Sequence, residues 1–91
     1  MYEIFYTSEF KKQLKLMMKR GRDAGVMNAA IEILGNIGTL PVVPYKTHKL
    51  FGNFANHWEA HLEPDWLLIW KIDKNKIVII LTNTGTHSDL F

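Results

Sequence analysis

The chain opens with Tyr2-Glu3-Ile4-Phe5-Tyr6, whose alternation and aromatic and β-branched content predict a short strand. A helix follows at once. Thr7 is suited to cap it and Glu9 lies in its first turn, where a negative charge favours the helix dipole. Phe10, Leu14, Met17 and Met18 then recur at three- and four-residue spacing with lysines on the other side, and Gly21 ends the pattern. A second helix is expected after Asp23, with Val26, Met27, Ala30, Ile33, Leu34 and Ile37 as its buried stripe and Gly35 and Gly38 weakening and ending it. The short connection between the two favours an antiparallel helical hairpin.

From Thr39 to His57 no period holds, because Pro41, Pro44, Gly52 and scattered polar residues interrupt it. Loops of this length are usually functional or disordered. Leu40, Val42, Val43, Tyr45, Leu50, Phe51 and Phe54 predict a loop packed down on the protein. Three strands are expected after it. In Trp58 to Glu63 the residues Trp58, Ala60 and Leu62 face one way and Glu59, His61 and Glu63 the other, towards solvent. Pro64-Asp65 turns the chain into Trp66 to Ile72, and Asp73-Lys74-Asn75 turns it again into Ile77 to Thr82. The order predicts an α+β fold: an N-terminal strand, a two-helix hairpin, then a three-stranded antiparallel meander packed against the helices.

Ninety-one residues with 47% hydrophobic and 22% charged positions fit one domain spanning 1–91, expected to be a monomer when alone. Cysteine is absent, which excludes disulfides and thiolate chemistry and fits a cytoplasmic location. The longest apolar runs, Trp66 to Trp70 and Ile77 to Leu81, are five residues each, so neither a signal peptide nor a membrane span is expected. The net charge is only +2, but six of the eleven basic residues, Lys11, Lys12, Lys15, Lys19, Arg20 and Arg22, fall within one short stretch. Such a cluster is either a solvated helix face or a dock for a polyanion such as RNA.

Outside the apolar pattern stand His48, His57, Glu59, His61, Glu63, Asp65 and His87. Neutral imidazoles and carboxylates bind divalent cations, but no metal-ligand spacing occurs, so neither a metal nor another cofactor is expected. The alternative is acid and base catalysis, for which histidine is suited near neutrality. Metal-free RNA cleavage needs a base for the ribose 2'-hydroxyl, an acid for the departing 5'-oxygen and a cation at the crowded phosphorane. His57 reads as an exposed loop histidine. His61 between two glutamates is either a charge-paired strand residue or a catalytic one, and His87 and Asp89 either cap a terminal turn or belong to a site. Among the tryptophans, Trp66 after its turn is best placed to stack on a base. Phe91 is either a core plug or a stacking platform.

Three motifs in order, His48-Lys49-Leu50-Phe51-Gly52, then Ala60-His61-Leu62-Glu63-Pro64-Asp65-Trp66-Leu67-Leu68-Ile69-Trp70, then Thr84-Gly85-Thr86-His87-Ser88-Asp89-Leu90-Phe91, make the chain resemble the YafQ family of toxins in the RelE/ParE superfamily. The resemblance spans the whole length. It implies a ribosome-dependent mRNA endoribonuclease that cuts without metal through 2'-hydroxyl attack. It also implies inhibition by a cognate antitoxin of the DinJ or RelB type in a hetero-oligomer, with the ribosome and its message as further partners and no membrane. Carried over by motif, His48, His61, Asp65 and His87 become the acid, base and phosphate-handling set. Trp66 and Phe91 become substrate-binding residues; the basic stretch from Lys11 to Arg22, read from its charge and not from a motif, is the expected surface for docking on the ribosome or its RNA. One position departs. Family members commonly carry arginine just before Thr-Gly-Thr-His, where this chain has Asn83. A neutral amide cannot supply arginine's cationic fork, so a weakened or differently tuned nuclease is expected, with Lys46 or Lys49 as substitute cations. Two other functions compete: a translation inhibitor that docks on ribosomal RNA without cutting, and a gyrase poison as in the ParE branch, which has no need of the histidines.

Overall fold

A computed structural model describes residues 1–91. The elements run β1 (Glu3–Tyr6), α1 (Ser8–Lys19), α2 (Ala24–Ile37), α3 (Val42–Tyr45), β2 (His48–Lys49), β3 (Trp58–Glu63), β4 (Trp66–Asp73), β5 (Val78–Gly85) and α4 (His87–Leu90). The strands form one sheet in the order β1-β5-β4-β3-β2, with β1 parallel to β5 and every other pair antiparallel. The expected helical hairpin and meander are present. The sheet gains a strand at one end, because the loop after α2 contributes β2 beside β3. That loop is ordered as a single turn, α3, with Val43 extended inside it, then β2, then a 3-10 turn over Gly52–Phe54.

The helix boundaries follow local chemistry. Thr7 caps α1 by accepting from the Phe10 N–H at 3.1 Å, and its hydroxyl donates to the Leu81 carbonyl at 2.8 Å, so the same residue starts the helix and ties it to β5. Asp23 caps α2 through the Gly25 N–H at 2.8 Å. Gly38 ends α2 with φ of 78° and lies so close to the Tyr2 ring that a Cβ there would stand 2.5 Å from it. No helix is long and apolar enough to cross a membrane.

The core lies between the helices and one face of the sheet. Phe10, Met17, Met27, Ala30 and Leu34 from the helices meet Ala60, Trp66, Leu68, Trp70, Ile79 and Leu81 from the strands. Trp66 is fully buried, which corrects the expectation that it stacks on a substrate base. Its indole N–H donates to the Thr84 hydroxyl at 2.9 Å, and that hydroxyl donates to the Leu67 carbonyl at 2.7 Å. Thr84 is itself buried.

The β5 strand runs past its expected end at Thr82 because a bulge accommodates one extra residue. Leu68 faces Thr84 and Ile69 faces Asn83, but Trp70 faces Leu81, leaving Thr82 unpaired. The Thr82 hydroxyl donates to the Ile69 carbonyl at 3.1 Å, and the Thr84 N–H is taken up by the Gln13 side chain from α1 at 3.0 Å. The extra residue reverses the alternation, so that Thr84 enters the core and Asn83 turns to the opposite face.

Thr84→Val leaves the Trp66 N–H and the Leu67 carbonyl without their partner at nearly constant volume. A loss of about 1–3 kcal/mol is expected in urea unfolding, and Thr84→Ser, which keeps the hydroxyl, is expected to lose less.

Candidate functional site

Cross-strand partners share a face of the sheet, so the registers define what lies opposite the helices. His48 pairs with Glu59, Glu59 with Ile69, and Ile69 with Asn83, forming one row across four strands. The adjacent row runs His61, Leu67, Gly85. The polar side of β3 therefore faces this second surface as expected, but it is not a solvated one. Glu59 is only 4% exposed and His61 is half-buried.

Glu59 is the centre of the row. Its Oε1 stands 3.1 Å from His48 Nε2 and 3.7 Å from His61 Nε2, while its Oε2 is buried without a hydrogen-bond partner in the protein. His48 Nδ1 lies 2.8 Å from the Lys46 carbonyl. A carbonyl only accepts, so that nitrogen carries a proton, and a lone pair on Nε2 would face the carboxylate. The arrangement accommodates a proton or a cation between His48 and Glu59. Ligand atoms of His48, Glu59 and His61 all lie within 4.8 Å of one another, a set able to hold a divalent cation. Spacing along the chain does not reveal this set because β2 and β3 meet only in the fold.

A second histidine–carboxylate pair adjoins it. Asp65 Oδ1 accepts from the His87 backbone N–H at 3.0 Å and lies 2.7 Å from His87 Nδ1. The carboxylate holds the proton on Nδ1 and leaves Nε2 open to solvent. The His61 ring sits between the two pairs, its centroid 6.1 Å from that of His48 and 5.7 Å from that of His87. His48, His61, Asp65 and His87 thus converge on one surface, as expected, and Glu59 joins them. The signal that could have singled out Glu59 is its place two residues from His61 on the same strand face.

The tail is built to carry His87. Thr86 and Asp89 form a capping box around the first turn of α4, with Thr86 Oγ1 accepting from the Asp89 N–H and Asp89 Oδ2 from the Thr86 N–H at 2.9 Å. A Cβ on Gly85 would stand 3.0 Å from Asp89 Cβ, so glycine there lets the tail fold back on the strand. Phe91 is 64% exposed, with its ring centroid 5.5 Å from that of Phe54. It is no core plug.

The expected cations lie elsewhere. Lys49 pairs with Trp58 on the helix side of the sheet and its ammonium is 5.9 Å from the Trp58 ring centroid, which corrects its assignment to the substrate site. Lys46 is exposed, and its carbonyl holds His48. Asn83 occupies the site face, two strands from Glu59 or about 10 Å. Lys11, Lys12, Lys15 and Lys19 are exposed along α1. Arg20 and Arg22 each pair with a carboxylate, Arg20 with Asp89 at 2.6 Å and Arg22 with Glu63 at 2.8 Å.

A helical layer covers one face of the mixed sheet and a histidine-rich row lies on the other; residues 2–91 of this small α+β protein match the family model described as "Bacterial toxin of type II toxin-antitoxin system, YafQ", which places it in the type II toxin class. The mRNA interferase toxin YafQ of Escherichia coli K12 is 37% identical over 90 residues, covering 98% of this chain and 95% of that protein. The crystal structure of the E. coli DinJ-YafQ complex superposes with a TM-score of 0.86 at 36% identity, covering 100% of this chain and 99% of that one. A metal-bound toxin from Helicobacter pylori superposes at 0.83 with 36% identity over 100% of both chains. The chain belongs to the YafQ family.

Two carboxyls of the tail region lie below their ordinary range. The His87 backbone N–H, then its imidazole, lower Asp65; the Arg20 guanidinium, then the Thr86 N–H, lower Asp89. A carboxyl depressed in the folded protein lends stability that is complete above its unfolded pKa of about 3.9 and lost as pH falls through the folded value. Asp65→Asn and Asp89→Asn are each expected to lower the thermal midpoint near neutrality, with the gap narrowing below about pH 4. A gap that stays constant from about pH 7 to about pH 2.5 would contradict this linkage.

Proposed function

We propose that this chain is an mRNA interferase that acts in the cytoplasm, cutting message on the ribosome by 2'-hydroxyl attack until an antitoxin occupies it. The observation that carries the reading is the unbroken row of His48, His61 and His87, two of its three rings backed by a carboxylate at close range. Such a row offers what the reaction needs on one surface. His87, oriented through Nδ1 by Asp65, presents Nε2 for proton transfer. His61, one ring away, handles the proton on the other side of the scissile phosphate. Glu59, with Oε1 3.1 Å from His48 Nε2 and 3.7 Å from His61 Nε2, holds both rings beside the place of the scissile phosphate. Phe91 stacks on a base beside the cut, and the α1 lysines hold the polyanionic ribosome.

His61→Ala and His87→Ala are each expected to lower cleavage of ribosome-bound message by about a hundredfold or more. Retained translation inhibition in both variants, abolished instead by reversing Lys11, Lys12 and Lys15, would favour the non-cleaving inhibitor. Asn83→Arg is expected to raise kcat, on the order of tenfold or more, by returning a cationic fork to the site face. Because the imidazoles must stay free for protons, EDTA is expected to leave cleavage intact. Added zinc should suppress it by occupying His48, Glu59 and His61. Loss of cleavage in EDTA that zinc restores would overturn the proton-transfer role.

A further inference from the structure

Building on the nuclease reading, we infer that the Arg20-Gly21-Arg22 turn is a bracket that sets the contact between Asp65 and His87, which makes Arg20 and Arg22 positioning residues for the reaction. The two groups it joins arrive on separate elements, Asp65 on the β3–β4 turn and His87 on the tail after β5. The turn that closes α1 touches both elements, the tail at Asp89 and the β3–β4 turn at Glu63 and Asp65.

Its backbone is anchored. The Arg20 N–H bonds the Leu16 and Met17 carbonyls at 3.1 Å each, and the Arg22 N–H bonds the Met17 carbonyl at 3.1 Å. Gly21, with φ of 86°, lets the two side chains diverge. Arg20 grips the tail with both arms of its fork, Nη1 to Asp89 Oδ2 at 2.6 Å and Nη2 to Asp89 Oδ1 at 3.1 Å. Arg22 grips the other turn, Nη1 to Glu63 Oε1 at 2.8 Å and Nη2 to the Asp65 carbonyl at 3.3 Å, with its guanidinium 5.8 Å from the Trp66 ring centroid.

The tail needs such a grip. A helix of four residues does not hold itself in water, so the capping box of α4 must be fixed from outside. Asp89 serves both ends of that arrangement, since the Oδ2 that receives Arg20 also receives the Thr86 N–H. An exposed ion pair is ordinarily worth little to stability, but a bidentate arginine on a carboxylate is the geometry that confers direction. The effect expected is therefore on placement more than on folding.

Arg20→Gln separates the two. It removes the grip on Asp89 without touching Asp65, so the Asp65 carboxyl becomes a gauge of the tail. NMR titration of that carboxyl in the full chain is expected to move upward towards the ordinary value as His87 withdraws. With ribosome-bound message, kcat is expected to fall about ten- to a hundredfold with KM within about twofold. Arg20→Lys, which keeps the charge and loses the fork, should shift both in the same direction but less, and it serves if Arg20→Gln does not fold. An unchanged Asp65 titration, or an unchanged kcat in a protein that cleaves, overturns the bracket. If the unsubstituted chain fails to cleave, the nuclease reading falls, and the Asp65 titration alone decides whether the bracket sets the contact.

Discussion

The buried hydrogen bond from the Trp66 indole to the Thr84 hydroxyl is the constraint on which both faces of the sheet depend. Two polar groups from adjacent central strands enter the core at this point, and each would be costly there alone. Their pairing is possible only because the bulge at Thr82 turns Thr84 inward. The same bulge turns Asn83 outward, onto the face of Glu59 and His48. It also lets β5 continue to Gly85, from which the tail springs with His87. A one-residue slip at this place would exchange the core and site faces of the last part of β5.

This constraint recasts the motifs. In Glu63-Pro64-Asp65-Trp66 and Thr84-Gly85-Thr86-His87, chemistry and architecture alternate almost residue by residue. Asp65 and His87 meet on the open face; Trp66, one position after Asp65, and Thr84, three before His87, meet in the core; Gly85 admits the tail; Thr86 caps its helix. A motif shared with a family does not by itself separate these roles. Assigning Trp66 to the substrate rested on its place after a turn and on the motif that contains it, and its full burial points to the core instead.

Most of the fold could be read from the sequence, because the elements with strong periodicity are also the ones that pack on the core. Thr7, Asp23 and Gly38 act at the helix ends where their chemistry puts them. The boundaries that failed are set by tertiary contacts. β2 exists because β3 offers it an edge, and Thr82 to Gly85 remain in the sheet because a side chain of α1, Gln13, satisfies the N–H that the bulge displaces. The site was readable as a set of residue types and hidden as a geometry. His48, His61, Asp65 and His87 converge, but Glu59 was lost on a strand face taken for solvent. Two-residue alternation says which side chains share a face and is silent on what covers that face.

The charges make the same distinction. Of the cluster between Lys11 and Arg22, the lysines stand unpaired on the surface of α1 while both arginines pair with carboxylates of the site region, Arg20 at the surface and Arg22 half-buried. Lysine, a hydrated point charge on a flexible stem, suits long-range attraction of a polyanion; arginine, with its rigid fork, suits holding a carboxylate in one orientation. With Arg20 and Arg22 paired to carboxylates and asparagine at position 83, the row of His48, Glu59, Ile69 and Asn83 carries no arginine. Lys49 lies on the other side of the sheet. The group at the centre of the row is instead Glu59, a buried carboxylate 3.1 Å from one imidazole and 3.7 Å from another. Carboxylates fix the rings of this face as arginines fix its turns: Glu59 stands beside His48 and His61, and Asp65 beside His87.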